Sequence, residues 1–194
     1  MPKFHFFAYM SRMKLIRRWS LMKSVYEEDI AQHTTQVAHI AHCLAVIKNT
    51  YFGGHLDADR IAVLGLYHES SEVLTGDLPT PIKYYNPEIR RSYKAIESVA
   101  EDKLLHMLPE EVRPTYETLL KPEAGSYEAR LVKAADKLSA YTKCLEELRS
   151  GNKEFTKAEK TLKEAVDSFR DMEEVDYFVK NFLPSYMLTL DELD

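Results

Sequence analysis

Only two cysteines, Cys43 and Cys144, occur among 194 residues, and they form no CxxC pair. No disulfide framework can be read from them, and a reducing cytoplasm is the expected setting. No run of apolar residues approaches ~18 positions, which excludes a membrane-spanning helix. The first thirty positions hold no apolar core followed by a small-residue cleavage site, so no secretory signal is expected. Positive charge is not in excess: the formal net charge is -5 and the pI about 5.8. That argues against duplex nucleic acid or an anionic membrane as a standing partner, but not against a small phosphorylated ligand held by one or two local cations. Glycine is sparse at six residues, and with eight prolines it falls almost entirely between periodic segments. Internal repeats and low-complexity tracts are absent. What is present is 45% hydrophobic and 29% charged, enough to bury a sizeable core and too apolar for a disordered chain.

Alternation of the β type is nearly absent, whereas apolar residues recur at three- and four-residue spacing. Breaks fall near 19–25, 49–56, 75–81, 109–114, 122–126 and 150–152. The expectation is an all-α chain, one domain over 1–194, with six or more helices. A helix from Asp29 to Lys48 has its stripe at Val37, Ile40, Ala41, Leu44 and Ile47. His33 lies within roughly 40° of the middle of that stripe, while His39 and His42 lie on the far side. A second helix is expected from Asp59 to about Leu74, with His68 and Glu72 as an i,i+4 pair and Glu69 flanking them. A third, from Tyr127 to Leu148, carries Asp136 on the shoulder of its stripe, among the small residues Ala135, Ser139 and Ala140. The segment from Asn152 to Glu174 reads as one amphipathic helix.

Each polar residue also has a purely structural reading. His33 could be a satisfied core histidine, Glu69 and Glu72 a solvated helix end, and Asp136 a surface aspartate. Trp19, the single tryptophan, follows Arg17 and Arg18 at the end of the first helix. It could anchor the core, or the arginine fork and indole could grip a phosphate and stack on a base. Taken together, two histidines and two carboxylates on separate helices make a mixed nitrogen and oxygen set suited to Mn²⁺, Co²⁺, Fe²⁺ or Zn²⁺.

Several longer stretches are recognisable: His5-Phe6-Phe7-Ala8, Ser11-Arg12, Lys14-Leu15-Ile16, Arg18-Trp19, Gln32-His33-Thr34, the run from Glu72 to Pro81, and Leu131 to Asp136. On these, the chain resembles the HD-domain 5′-deoxynucleotidases, the YfbR-like bacterial phosphohydrolases, over essentially its full length. The resemblance implies an HD-type helical bundle and a divalent metal, such as Co²⁺ or Mn²⁺, held by His33, His68, Glu69 and Asp136. It implies Glu72 as the catalytic carboxylate and Arg18 as the residue that orients the phosphate. The nucleotide pocket would involve Trp19, His33, Asp136 and the run Asp77, Leu78, Pro79 and Thr80. Asp77 would contact the sugar 3′-hydroxyl or assist the leaving 5′-oxygen. The implied substrate is a deoxyribonucleoside 5′-monophosphate, and the implied assembly a homodimer. One position departs from the family pattern: the namesake His-Asp pair is His68-Glu69 here. The extra methylene moves a carboxylate whose distance to a metal tolerates only ~0.2 Å, so altered metal preference or lower affinity is expected. The rival readings are a phosphohydrolase acting on a cyclic nucleotide or an alarmone, and a nucleotide-binding protein disabled at Glu69.

Overall fold

Helix α2, Ile30–Tyr51, begins where Asp29 and Gln32 close a capping box: the Asp29 carboxylate accepts from Gln32 N–H at 2.9 Å and the Gln32 amide oxygen from Asp29 N–H at 3.0 Å. In the computed structural model, residues 3–83 and 85–193 are described, with Thr80 described by its backbone alone. Against α2 pack α3, Ala58–Tyr67, and α8, Tyr127–Arg149, the latter capped by Ser126. The expected stripe of α2 is buried: Val37, Ile40, Ala41, Leu44 and Ile47 meet Leu131, Ala135 and Leu138 of α8 in one continuous core. Gly65 is what lets α3 approach α2 so closely, because a Cβ there would stand 2.8 Å from the Ala38 Cα.

A smaller apolar cluster forms around Phe6 of α1, Phe6–Met10. Leu104 and Leu105 of α6, Pro87–Leu105, enclose it together with Leu108 and with Leu120 of α7, Arg113–Leu120. Leu119 packs against both clusters and ties them into one body. Short helices α4, Glu72–Thr75, and α5, Thr80–Lys83, lie between α3 and α6. Helices α9, Thr156–Asp167, and α10, Glu173–Asn181, cover the remaining flank. Among the described residues no strand forms, only an isolated bridge between Arg17 and Asp29. No helix among them is long and apolar enough to cross a membrane.

Three expected boundaries are corrected. The helix predicted from Asp59 to Leu74 stops at Tyr67; residues 68–71 form turns, and α4 resumes at Glu72. The stop comes from side chains that take the backbone's carbonyls. His68 Nδ1–H donates to Gly65 O at 2.7 Å, and the Ser70 hydroxyl donates to Tyr67 O at 2.6 Å. His68 and Glu72 are therefore not an i,i+4 pair on one helix. The predicted helix over Asn152 to Glu174 is likewise a 3₁₀ turn at Lys153–Phe155 followed by α9 and α10, broken at residues 168–172. Arg18 and Trp19 do not end a helix either. They sit in an irregular segment well beyond Met10, and Trp19 adopts a left-handed φ of 57°.

Candidate metal centre

Helices α2 and α8 and the turn after α3 bring together four residues from three distant stretches of the chain. Ligand atoms of His33, His68, Glu69 and Asp136 all lie within 4.8 Å of one another. His33 is fully buried, whereas His39 is exposed and His42 partly so, as the helical geometry of α2 demands. His33 Nδ1 contacts Ser139 Oγ at 3.2 Å, and that hydroxyl donates to Gln36 Oε1 at 3.1 Å. The other edge, Nε2, meets Asp136 Oδ1 at 3.1 Å, a contact that a proton or a cation between the two atoms satisfies. His68 is oriented the same way. Its Nδ1–H is spent on Gly65 O, so in the neutral ring Nε2 is the atom that carries the lone pair. That Nε2 is buried without a hydrogen-bond partner among the described residues, 3.6 Å from Glu69 Oε1. Two imidazoles fixed through one nitrogen and presenting the other is how proteins prepare histidine for a metal. The glutamate at position 69 still reaches the cluster despite its extra methylene. The residues present fit a divalent ion.

Charge around the centre is unbalanced in the same sense. Glu72, 2% exposed, has a buried carboxylate oxygen without a partner among the described residues. Burial, and then the neighbouring Glu69 carboxylate, push its pKa up to about 10. Burial also works against charge on Glu69, but the His68 imidazole draws its pKa below the usual range. Burial likewise opposes charge on Asp136, yet the His33 contact and the Lys137 ammonium, 2.8 Å away, hold it well below the ordinary carboxylate value. Burial lowers the basicity of His33, and the Arg18 charge adds to that. For Arg18 itself the carboxylates of Glu28, Asp136 and Glu69 outweigh burial, so it stays firmly charged. Asp77 lies just after α4, whose C-terminus is closed by Gly76 at φ 73°. Its carboxyl is raised first by burial, with Arg18 and Lys83 opposing, so it borders the same site.

The structure thus gathers His33, His68, Glu69, Asp136, Glu72, Asp77 and Arg18. Trp19 stands at the edge, half-buried, its ring 5.3 Å from that of Phe155. Leu78 and Pro79 occupy the half-buried turn beyond Asp77, and Pro79 O receives the Ile82 and Lys83 N–H groups of α5. The side chain of Thr80 falls outside the described residues. Cys43 and Cys144 stay apart from the centre as packing groups, and burial raises the Cys144 thiol to about 12. Three neighbours lacked a motif: Ser139, which orients His33; Lys83, which pairs with Glu97 at 3.1 Å and adds positive charge beside Glu69 and Glu72; and Glu28. For Glu28 a signal exists, since Arg17-Arg18 is answered ten residues later by Glu27-Glu28, and each pair joins at 2.5 and 3.0 Å.

Comparison with known proteins points the same way. The family model described as "5′-deoxynucleotidase YfbR-like" matches residues 5–186. A 5′-deoxynucleotidase of Vibrio vulnificus is 54% identical over the whole of both chains. The 5′-deoxynucleotidase YfbR of Escherichia coli is 54% identical over this entire chain and 97% of its own length. Among solved structures, an HD-domain phosphohydrolase of Listeria innocua superposes with a TM-score of 0.84 at 24% identity, covering 96% of this chain and 90% of that one. The HD phosphohydrolase DatZ of cyanophage S-2L, bound to dA and one catalytic Zn²⁺, gives a TM-score of 0.67 at 18% identity over 92% of this chain and 96% of its own. These two show a shared fold.

Proposed function

The chain belongs to the YfbR-like 5′-deoxynucleotidase family, and on that premise we propose that it hydrolyses deoxyribonucleoside 5′-monophosphates to deoxynucleoside and phosphate. It is an enzyme, a hydrolase of the HD phosphohydrolase fold. The observation that carries the site assignment is the convergence of His33, His68, Glu69 and Asp136 beside a buried Glu72. His33, His68, Glu69 and Asp136 would hold a divalent ion, which would supply Lewis acidity toward water and a phosphoryl oxygen.

The remaining chemistry belongs to the chain. Arg18 holds the phosphate by its guanidinium fork, which matches two phosphoryl oxygens at once and sets the phosphorus in line for attack. Glu72 accepts the proton of the attacking water at its carboxylate. A cation held there would offset the Glu69 charge that helps raise Glu72, and would so favour its basic form. As the new O–P bond forms, the P–O5′ bond breaks, and the deoxynucleoside leaves once its 5′-oxygen has gained a proton. Asp77, whose raised carboxyl borders the site, contacts the sugar 3′-hydroxyl or supplies that proton. Trp19, Leu78 and Pro79 form the wall around the nucleoside, and a tight wall at C2′ disfavours ribonucleotides. Co²⁺ or Mn²⁺ as the ion, a cytoplasmic setting, one HD-type domain over 1–194 and a homodimer complete the proposal; the ion and the dimer rest on the family likeness.

The test is phosphate release from the four deoxynucleoside monophosphates and their ribose counterparts, with Co²⁺, Mn²⁺ or Zn²⁺, for the natural chain and for Glu69→Asp. Activity of the natural chain on the deoxy series is expected. Activity of Glu69→Asp alone, under every metal, would make the natural chain a binding protein rather than an enzyme. A cyclic nucleotide or alarmone hydrolysed in preference would move it to another branch of the fold.

A further inference from the structure

Glu28 belongs to no motif and takes no part in the reaction above, yet it lies buried between the two residues assigned to the phosphate and the nucleoside. A single oxygen, Oε2, accepts from Arg18 Nε–H at 3.0 Å and from Trp19 Nε1–H at 2.8 Å. The main chain repeats the link, with Arg18 N–H donating to Glu28 O at 2.9 Å. Among the described residues, Glu28 is the hydrogen-bond partner of the Arg18 guanidinium, and it uses the Nε edge alone. A guanidinium is a planar fork of five N–H donors. Gripped at Nε, its plane is fixed and both Nη groups remain available for an anion. The same oxygen holds the indole, whose residue keeps a left-handed φ of 57° that a bulky side chain rarely adopts unaided.

We propose that Glu28 is the positioning residue for the substrate's 5′-phosphate: one carboxylate oxygen fixes the Arg18 fork, and the Trp19 indole, held by the same oxygen, reports that contact. This rests on the assignment of Arg18 and Trp19 given above. Glu28 acts through the Arg18 guanidinium and touches neither substrate nor reacting atoms.

Trp19 is the only tryptophan, so its fluorescence reports this contact directly. The experiment compares the natural chain with Glu28→Gln, Glu28→Ala and Arg18→Ala. Steady-state kinetics of the Mn²⁺-loaded enzyme on a deoxynucleoside 5′-monophosphate are read beside Trp19 fluorescence titrations of the metal-free protein. The titrants are that nucleotide and the corresponding deoxynucleoside. Losing hydrogen bonds to a charged group weakens binding roughly 10- to 100-fold. Glu28→Ala is expected to raise KM and weaken nucleotide affinity by that range, to spare deoxynucleoside affinity by comparison, and to shift the indole emission. Glu28→Gln, which keeps an oxygen acceptor, is expected to fall between it and the natural chain. A purely structural Glu28 would weaken both titrants alike, and that result overturns the proposal. Natural KM and affinity in Glu28→Ala beside an impaired Arg18→Ala would also overturn it. Should Glu28→Ala not fold, natural nucleotide affinity in Glu28→Gln would do the same. An unimpaired Arg18→Ala would remove the phosphate assignment itself, which is a separate failure.

Discussion

Helix α8 carries two buried ionic clusters about three turns apart, and they are built in opposite ways. At Glu147 every charge is answered within the protein. Lys143 Nζ lies 2.5 Å from the carboxylate, the Val25 and Tyr26 N–H groups donate to it, and Asn152 adds a bond at 2.7 Å. Lys143 also donates to Tyr26 O. The result is a closed clasp that pins the segment between α1 and α2 onto the body. At Asp136 the balance is left open: two histidine nitrogens face inward, three carboxylates crowd them, and two polar atoms lack partners among the described residues. Burial without satisfaction is costly, and it persists where a ligand completes the set. One cluster is satisfied within the protein, and the other has the donor set to hold a cation.

The largest effect that would sharpen this contrast is at Glu72. Glu72→Ala is expected to cut turnover by roughly 10²- to 10⁴-fold while metal content and substrate affinity hold. Unchanged turnover removes Glu72 from the reaction. At the closed cluster, Glu147→Ala should instead cost about 3 kcal/mol of stability, read by denaturant unfolding, because Lys143 is left buried and unpaired. If Glu147→Ala is as stable as the natural chain, the clasp is not a stabilising device.

Next in size is Gly65→Ala. Its methyl would press on the Ala38 backbone at 2.8 Å, and separating α3 from α2 should cost roughly 1–3 kcal/mol. Since Gly65 O orients His68, metal affinity should fall with it, which links the packing to the open cluster. Wild-type metal affinity in a destabilised Gly65→Ala would break that link.

The smallest expected effect is a pH dependence. Burial alone would raise Glu147, but its hydrogen bonds, led by Lys143, bring it from an ordinary 4.5 to about 2 in the folded chain. The folded state therefore favours the ionised carboxylate. Its contribution is complete above about pH 4.5, declines as the pH falls and is gone near pH 2. Thermal unfolding of the natural chain and Glu147→Gln across that window should show their difference narrowing with acid. A difference that widens would contradict the assignment.

Much of the scaffold was legible because α2 and α8 obey helical periodicity along their whole length, so the inward turn of His33 follows from spacing alone. The break after Tyr67 was not legible. Residues 67–74 contain no glycine or proline, and the helix is stopped by His68 and Ser70 side chains capturing carbonyls, which spacing does not encode. The same limit hid Glu28. Its contacts join two ends of an irregular loop, and only the complementary charges of Arg17-Arg18 and Glu27-Glu28 hint at them. Glu69 reaching the cluster in spite of its added methylene likewise depends on the turn that replaced the expected helix.

The central claim is that the open cluster holds one divalent ion through His33, His68, Glu69 and Asp136. Elemental analysis after dialysis against Mn²⁺, Co²⁺ or Zn²⁺ tests it most directly. About one ion per natural chain is predicted, with the ion lost from folded His68→Ala and Asp136→Ala. A natural chain that binds none of the three metals, or variants that bind as much as it does, would contradict the account.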